Sequence, residues 1–394
     1  MTAPVAEART SSPLPAHWPA TLGPGVLDDV DLPTPFLLGD LSVVADRFRR
    51  FMAALPGVAP FYAVKCNPSP PVLRTVAAAG ASFEIASLGE LRMLEHIGVR
   101  PRDVLYSNTV KPAAHVAAAA AAGLWRFSVD SEGEVHKIAA HAPGSAVYVR
   151  LAVDDTDSVF PLSRKFGTGP AQARALLLLA RRLGLRPYGL TFHVGSQCTA
   201  PDAWARAIRA AGELMHRLES DGIRLDMLDI GGGFPAGYGD PVPHIETIGD
   251  AVTQALETLP YRPALVAAEP GRHMVAESAV MVAGVIGRAH RSGEEWLHLD
   301  VSAFHGFMET QQGATGWRYP MWTSRTDHAD ARLIPYTVTG PTCDSGDTMF
   351  RGVLLPATLA EGDRVYIASA GAYTLSYASH FNGFPPPLAH YLPA

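Results

Sequence analysis

The chain has 394 residues, enough for a large buried core and two domains. Its formal net charge of −6, without a long basic run, disfavours nucleic acid and anionic membranes as partners. The three cysteines, Cys66, Cys198 and Cys343, form no CxxC pair, so we expect a reducing, cytoplasmic location and assign no metal.

Residues 1–20 are rich in Ala, Pro and Ser and lack the basic start and unbroken apolar run of a signal peptide. Such a composition predicts a disordered tail. No apolar run in the chain approaches the ~18–20 residues that a membrane-spanning helix needs. We therefore expect no membrane segment.

Eight strand-like segments then alternate with helical patterns. They cover residues 60–65, 82–87, 103–108, 125–130, 146–151, 188–194, 227–231 and 265–270. Strand and helix alternating at this spacing predict parallel βα units, and eight strands are the number that closes a TIM barrel. We predict a (β/α)8 barrel over residues 38–275, with an open doubly wound sheet as the alternative.

After about residue 275 the pattern changes to short alternating strands, such as EWLHLDV and DRVYIASAG, without long helices between them. This pattern predicts a second, mainly β domain of the β-sandwich or β-barrel-like type. We assign residues 276–394 to it, together with residues 21–37, whose end includes an early strand near Pro35.

Polar residues recur at the carboxyl ends of the predicted barrel strands, which converge on one mouth of a barrel. The alternative is that polar residues merely mark strand ends, as in most sheets. The candidates are Lys65, Glu84, Arg150, His193, Ser196, Gly231, Gly232, Gly233, Glu269, Gly271 and Arg272.

Lysine is rare in this chain. Only Lys65, Lys111, Lys137 and Lys165 are lysines, and the other basic residues are arginines. A primary amine can form a Schiff base, which a guanidinium cannot, and burial at a strand end favours the neutral, nucleophilic amine. Lys65 is therefore a candidate for covalent attachment of a cofactor.

The segment LDIGGGFP is wrongly spaced for a dinucleotide loop, but glycines after a strand let backbone N–H groups approach an anion. Ser196 and Arg272 are the candidates for a hydroxyl and a guanidinium on the same phosphate. A tight turn that needs positive φ is the alternative explanation for the glycines.

A phosphate site, a lysine, a histidine and an acid together fit pyridoxal 5′-phosphate. Glu269 is then the candidate partner of the pyridine nitrogen, which it would keep protonated. His193 is the candidate that stacks on the ring, although a satisfied core histidine is the alternative when it is taken alone.

These residues lie in the motifs FYAVKCN, HVGSQC, LDIGGGFP, AEPGR, GPTCDSGD, SAGAYT and FNGF, which run from about residue 35 to 390. In these motifs the chain resembles the ornithine/diaminopimelate decarboxylases, which are pyridoxal-phosphate enzymes of the alanine-racemase-like fold. The resemblance implies a barrel with a β domain. It also implies a head-to-tail homodimer whose active sites lie at the subunit interface and take a small amino-acid substrate.

The resemblance also implies roles for individual residues. Lys65 matches the Schiff-base lysine, His193 the ring-stacking residue and Glu269 the pyridinium partner. Cys343 matches a cysteine that enters from the partner subunit and protonates Cα, and Asp344 the acid that binds the distal amine of the substrate. The implied phosphate contacts are Ser196, Gly233, Arg272 and Tyr373.

Within the family, the CDSGD form indicates an ornithine-type substrate. Glu309 and Tyr373 are further candidates for substrate binding. The segment ETQQGATGWR keeps Glu309 but has Gln311, Gln312 and Gly313 where acids are common, so lysine, arginine or a modified diamino acid are alternatives.

Two other classes of function compete with a decarboxylase. A racemase on the same barrel needs a two-base arrangement, against which the GPTCDSGD loop argues. Non-catalytic regulatory relatives tend to lose cofactor residues, whereas Lys65, His193, Glu269, Arg272 and Cys343 are all present.

Overall fold

The computed structural model describes residues 14–15, 18–23, 25–312, 317–323 and 331–394. The predicted tail over residues 1–20 therefore falls mostly outside the described residues. At its carboxyl end, Trp18 donates its indole N–H to the carbonyl of Leu22 at 2.9 Å and packs edge-on against Trp322.

The described strands follow in chain order: β1 (Phe36–Asp40), β2 (Ala59–Ala63), β3 (Ser82–Ile85), β4 (Leu105–Tyr106), β5 (Arg126–Val129), β6 (Ala146–Arg150), β7 (Ser158–Phe160), β8 (Arg186–Thr191), β9 (Ser196–Cys198), β10 (Met227–Asp229), β11 (Leu265–Ala268), β12 (Ala279–Arg291), β13 (Glu294–Leu299), β14 (Met321–Thr323), β15 (Leu333–Thr339), β16 (Thr348–Pro356), β17 (Arg364–Ile367) and β18 (Leu388–Leu392). The described α-helices are α1 (Leu41–Ala54), α2 (Pro70–Ala78), α3 (Leu88–His96), α4 (Ala113–Ala121), α5 (Glu132–His141), α6 (Pro170–Arg182), α7 (Asp202–Ser220), α8 (Ile245–Leu256) and α9 (Arg272–Val275).

The chain divides into two compact units. The barrel unit comprises Ala45–Pro235 and Pro243–His273. The β unit comprises the described residues of Met1–Val44, Ala236–Val242 and Met274–Ala394.

Eight parallel strands of the barrel unit close on themselves in the order β10, β11, β2, β3, β4, β5, β6 and β8. The predicted (β/α)8 barrel is confirmed, and the open doubly wound sheet is excluded. Apolar side chains from several strands fill the interior, because a barrel of this size has room only for side chains. Phe61, Leu105, Tyr148 and Met227 belong to this cluster.

Several observed strands end earlier than the sequence pattern predicts, so Lys65, His193 and Glu269 lie just beyond them, whereas Glu84 and Arg150 lie within β3 and β6. β2 ends at Ala63, and Lys65 lies in a 3₁₀ turn over Val64–Cys66. β8 ends at Thr191, two residues before His193. Local signals fix the helices that follow these loops. For example, Ser87 caps α3 by accepting the N–H of Glu90, and Glu90 accepts the N–H of Ala86 in return.

The β unit contains one connected mixed sheet in the order β14, β17, β12, β13, β15 and β16. The early strand β1 joins it, because β1 pairs antiparallel with β12 and parallel with β18. Its core packs Phe36 and Leu38 of β1 against Val280, Val282 and Tyr366. Among the described residues, none of the helices is both long and apolar enough to span a membrane.

Candidate active site

The polar candidates of the barrel unit lie together at the carboxyl ends of its strands, and we call them the barrel site. They are Lys65, Glu84, Arg150, His193, Ser196, Gly231, Gly232, Gly233, Glu269, Gly271 and Arg272. A backbone hydrogen bond of 3.1 Å from Ala63 to the carbonyl of Pro270 joins the loop of Lys65 to that of Glu269. Gly271 permits this approach, since a Cβ there would lie 3.0 Å from Cβ of Cys66.

Lys65 forms an ion pair with Glu84. The side chain of Glu84 is 2% exposed, whereas that of Lys65 is 42% exposed and reaches into the open mouth. Burial lowers the pKa of Lys65, but the carboxylates of Glu84 and Glu269 outweigh burial and raise the pKa above its usual value. The expectation that burial makes this amine neutral is therefore wrong, because two acids face it.

Glu84 is buried, and its carboxyl group also faces the positive charge of Lys65. Burial raises the pKa of its carboxyl group to about 7, although the ammonium of Lys65 opposes that increase. The carboxyl group therefore changes charge near neutral pH, next to the amine that it contacts.

His193 is neutral in this site. The backbone N–H of Gly195 donates to its Nδ1 at 3.0 Å, which leaves the proton of the neutral ring on Nε2. Burial, with the nearby charges of Arg150 and Lys65, lowers the pKa of the imidazole well below its usual range. The result is an uncharged, flat ring at the mouth of the barrel.

The glycine triplet follows β10 and makes a close-packed cradle. A Cβ on Gly231 would lie 1.9 Å from the carbonyl oxygen of Phe192, and one on Gly233 would lie 2.5 Å from that of Gly195. A Cβ on Gly232 would meet the carbonyl oxygen of Glu269 at 2.7 Å. Gly231 and Gly233 also have positive φ, so the tight turn and the close approach both require glycine here.

A hydroxyl and a guanidinium converge beside this cradle. Nη2 of Arg272 donates to Oγ of Ser196 at 3.2 Å. The sequence predicts these two residues as joint ligands of a phosphate, and the contact brings them together. The guanidinium of Arg150 lies further along the same mouth, 5.2 Å from the ring centre of Phe166. Burial lowers the pKa of Arg150, against the opposing charges of Glu269 and Glu84.

Glu269 lies one residue beyond β11 and is 9% exposed. Ser107 donates its hydroxyl to Oε1 of Glu269, and Ser107 in turn contacts the hydroxyl of Tyr148 at 2.8 Å. Burial, followed by the charge of Asp229, raises the pKa of Glu269 to about 8. This carboxyl group is therefore protonated at neutral pH before any ligand arrives.

In the β unit, Cys343 and Asp344 lie on one loop, residues 342–347, which we call the Cys343 loop. Cys343 is exposed, and its backbone N–H and its thiol both donate to Oδ1 of Asn382, at 3.1 and 3.4 Å. The carboxylate of Asp344 accepts the N–H of Gly346 at 2.8 Å. Asp347 is buried and accepts the hydroxyl of Thr342 at 2.7 Å, which closes the base of the loop.

The last two candidates are also in the β unit. Glu309 is 7% exposed and lies in a 3₁₀ turn over Met308–Gln311. Tyr373 is half-buried with φ of 53°, and its ring centre lies 6.2 Å from that of Tyr377. Gly313, the third residue of the unusual Gln-Gln-Gly segment, lies outside the described residues.

Sequence reasoning missed the supporting residues Ser107, Asp229, Asn382 and Asp347. Ser107 and Asp229 carried a usable signal, since each lies at the carboxyl end of a predicted barrel strand. Asp229 lies inside the motif LDIGGGFP, in which the glycines alone are the predicted candidates. Asn382 and Asp347 lie in the motifs FNGF and GPTCDSGD, but the motifs did not indicate their roles, because their partners are distant in sequence or in the same irregular loop.

Comparison with known proteins identifies a family of similar sequences. Residues 41–276 match the family model described as "Pyridoxal-dependent decarboxylase, pyridoxal binding domain". The chain is 34% identical over 357 residues to the lysine/ornithine decarboxylase of Selenomonas ruminantium, covering 90% of this chain and 88% of that protein. It is 33% identical over 371 residues to antizyme inhibitor 2 of Xenopus laevis, covering 90% of this chain and 80% of that protein.

A solved structure agrees with these matches. The crystal structure of the lysine/ornithine decarboxylase of Vibrio vulnificus complexed with putrescine superposes with a TM-score of 0.83. The two chains are 36% identical, and the match covers 92% of this chain and 95% of that chain.

Proposed function

The chain belongs to the pyridoxal-dependent decarboxylase family, and we propose that it converts L-ornithine into putrescine and CO2. Membership confirms the resemblance drawn from the motifs and makes the chain a pyridoxal-phosphate enzyme that decarboxylates a basic amino acid. Membership argues against the racemase, and the non-catalytic regulator is disfavoured because Lys65, His193, Glu269, Arg272 and Cys343 are all present. The identity of the amino acid is the part that we propose.

The barrel site fits pyridoxal phosphate. The cradle of Gly231 to Gly233 has no room for a Cβ, and glycines of this kind let backbone N–H groups reach a phosphate. When bound, the cofactor supplies an aldehyde that joins an amine and a ring that stabilises negative charge at Cα.

We assign the covalent attachment to Lys65. Glu84 contacts its ammonium and holds the side chain at the mouth of the barrel, where Lys65 must lose a proton before it reacts. The phosphate is assigned to Ser196, Gly233, Arg272 and Tyr373, with Gly231, Gly232 and Gly271 giving the backbone room to approach. Arg150 adds positive charge to the same mouth.

The ring is assigned to His193 and Glu269. The neutral imidazole of His193 stacks on one face without adding a charge that would weaken the electron-withdrawing ring. Glu269 brings a proton to the pyridine nitrogen, since its carboxyl is protonated at neutral pH.

The single observation that supports ornithine is the pairing of a thiol and a carboxylate on one loop. Cys343 donates a proton to Cα after CO2 leaves, and Asp344 binds the distal ammonium of the substrate. In the described part of the chain, the Asp344 carboxylate accepts the N–H of Gly346 from its own loop, and its second oxygen is the candidate acceptor for a bound ammonium. Glu309 is assigned to the same end of the substrate.

We propose further that two copies of the chain form a homodimer with shared active sites. Cys343 is exposed. Three aromatic side chains in the segment around its partner Asn382 are exposed as well: Tyr377 by 42%, Phe381 by 38% and Phe384 by 38%. Exposed aromatic residues grouped around a reactive loop are typical of an interface between subunits. A second copy would cover them and enclose the Cys343 loop.

The test is a screen of CO2 release from ornithine, lysine, arginine and diaminopimelate with the purified enzyme. We expect the highest kcat/KM for ornithine, by about 10-fold or more over lysine, since one methylene is worth that much in a fitted pocket. Asp344→Asn should raise KM for ornithine and weaken this preference. A higher kcat/KM for lysine, arginine or diaminopimelate would refute ornithine as the substrate.

A further inference from the structure

Two carboxyl groups contact each other inside the barrel. Asp229 ends β10 and Glu269 follows the adjacent strand β11, and these strands pair with Asp229 opposite Ala267. Asp229 is 0% and Glu269 9% exposed. Their side chains are hydrogen-bonded to each other.

Such a contact requires a proton, because two ionised carboxylates offer only acceptors. The other partners of Asp229 decide where that proton lies. The backbone N–H of Gly231 donates to Asp229 at 2.9 Å, and the hydroxyl of Thr191 donates at 2.8 Å. Burial raises the pKa of Asp229 as well, but its two donors, against the one that Glu269 accepts from Ser107, favour the ionised form of Asp229, so we place the shared proton on Glu269.

We propose that Asp229 is a positioning residue that maintains a proton between Glu269 and the ring nitrogen of the bound cofactor. This inference rests on the proposed role of Glu269 as the partner of that nitrogen. With the cofactor bound, the proton of Glu269 would pass to the ring nitrogen, so that its O–H bond would break as an N–H bond formed. Glu269 would become a carboxylate beside the ionised Asp229, the positive charge of the ring N–H would offset the charge that the pair gains, and no oxidant or reductant would be needed.

The charge of Asp229 is what holds the proton on the ring nitrogen afterwards. A second anion next to Glu269 makes loss of that proton more costly, because both negative charges stabilise the positive charge of the protonated ring nitrogen. Asp229 thus acts through Glu269 without touching the reacting atoms.

Other charged and titratable groups face this pair from the neighbouring strands. The cations oppose retention of the proton, whereas the anionic form of Glu84 supports it. Burial is the largest cause of the raised pKa of Glu269. The charge of Asp229 is the next largest and also raises the pKa, whereas the smaller effect of Lys65 lowers it. The surrounding groups are Lys65, Glu84, Tyr148, Arg150 and His193.

The experiment follows the ring nitrogen directly. The holoenzyme is prepared with cofactor labelled with ¹⁵N in the ring, and the ¹⁵N chemical shift is recorded across pH for the native chain and three variants. Asp229→Asn removes the charge at nearly constant shape, and Thr191→Val is the matched control that removes only a donor to Asp229. Glu269→Gln tests the underlying role of Glu269.

In Thr191→Val, which keeps the charge of Asp229 but removes one donor to it, we expect the pH at which the nitrogen loses its proton to lie between those of the native chain and Asp229→Asn. In Asp229→Asn the midpoint should fall by about 1 to 3 pH units, the effect of one adjacent charge. An unchanged midpoint in Asp229→Asn, with a lowered one in Glu269→Gln, would overturn this inference alone. An unchanged midpoint in Glu269→Gln would instead overturn the proposed role of Glu269.

A second measurement covers the case in which Asp229→Asn does not fold. The native full chain is freed of cofactor and labelled with ¹³C in glutamate. Its infrared spectrum should contain a band of protonated glutamic acid that disappears as pH rises through about 8. Glu269→Gln should lack this component. If no such component distinguishes the native chain from Glu269→Gln, the shared proton does not exist and the inference fails.

Discussion

The barrel site and the Cys343 loop are built in opposite ways. Lys65 pairs with Glu84, and His193 and Glu269 are each held by a hydrogen bond at a strand end, from Gly195 and from Ser107. Cys343 is exposed, and its described hydrogen bonds run to a single side chain, that of Asn382. One region is prepared by the fold of a single unit, whereas the other is displayed on a surface.

This difference separates two tasks. Binding a cofactor requires fixed donors and a fixed cradle, which the rigid ends of barrel strands provide. Delivering a proton to Cα requires water to be excluded from the thiol, and an exposed loop does not achieve this alone. We therefore expect changes in the barrel site to affect the cofactor, and changes in the Cys343 loop to affect the product.

Lys65→Ala should have the largest effect. We expect a decrease in kcat of about 10⁴-fold, together with loss of the visible absorbance of the covalently attached cofactor. Lys65→Arg is the matched control, because it keeps a cation beside Glu84 but has no primary amine. Both variants should lose the band. Retention of the band in Lys65→Arg would show that the amine is not the attachment point.

Cys343→Ala should leave that absorbance intact and lower formation of the amine by about 10²-fold, since one proton donor is lost. Part of the product should be diverted to an aldehyde through protonation at the wrong atom. Absorbance and product analysis by mass spectrometry measure the two effects, and Cys198→Ala, at a buried thiol, is the control. Normal amine formation by Cys343→Ala would contradict the comparison.

Gly232→Ala should weaken cofactor binding by about 10- to 100-fold, since overpacking costs about 1–3 kcal/mol. Its Cβ would lie 2.7 Å from the carbonyl oxygen of Glu269 and 3.0 Å from Nε2 of His193. Gly133→Ala in α5 is the control, because nothing lies within 4 Å of a Cβ there. Fluorescence titration of the cofactor-free chain gives both dissociation constants, and equal values would argue against the cradle.

The smallest expected effect is on stability. The pKa values of Glu84 and Glu90 are raised to about 7 and that of Glu269 to about 8, each mainly by burial. The folded chain thus holds protons that the unfolded chain has released, so its free energy of unfolding decreases as pH rises from about 6.5 to 8. The opposite contribution of His273, whose pKa burial lowers to about 4, falls mainly below pH 6.5, and Lys111, whose pKa burial lowers to about 8, opposes the decrease toward the upper end of the range.

Replacing Glu269 by Gln removes one of these acids. The decrease in stability of the cofactor-free chain over this pH range should become shallower, by about 1 kcal/mol per pH unit at most. Thermal unfolding of native chain and variant at pH 6.5, 7.25 and 8 measures the slopes. Identical slopes would mean that Glu269 is already ionised throughout this range.

The barrel was predictable because its signal repeats. Eight apolar runs at regular spacing fix the strand number, and the parallel order then places Lys65, Glu84, His193 and Glu269 at one end. The motifs supplied the family, which the fold pattern alone does not specify.

The charge states were not predictable from the same pattern. The sequence gives no distance between Lys65 and Glu84, and that ion pair reverses the expected effect of burial on the amine. The contact between Asp229 and Glu269 depends on the register of β10 against β11, which spacing in sequence does not reveal. Asn382 and Cys343 are brought together by irregular loops, for which periodicity carries no information.

The most direct test of the contrast between the two regions mixes inactive subunits. Lys65→Ala and Cys343→Ala chains are each prepared alone, then unfolded and refolded together in equal amounts, with each chain refolded separately as the control. If a site takes Lys65 from one copy and Cys343 from the other, half of the dimers regain one intact site, and activity should recover to about a quarter of the native value. Activity no higher than the average of the two separate controls would contradict the shared site.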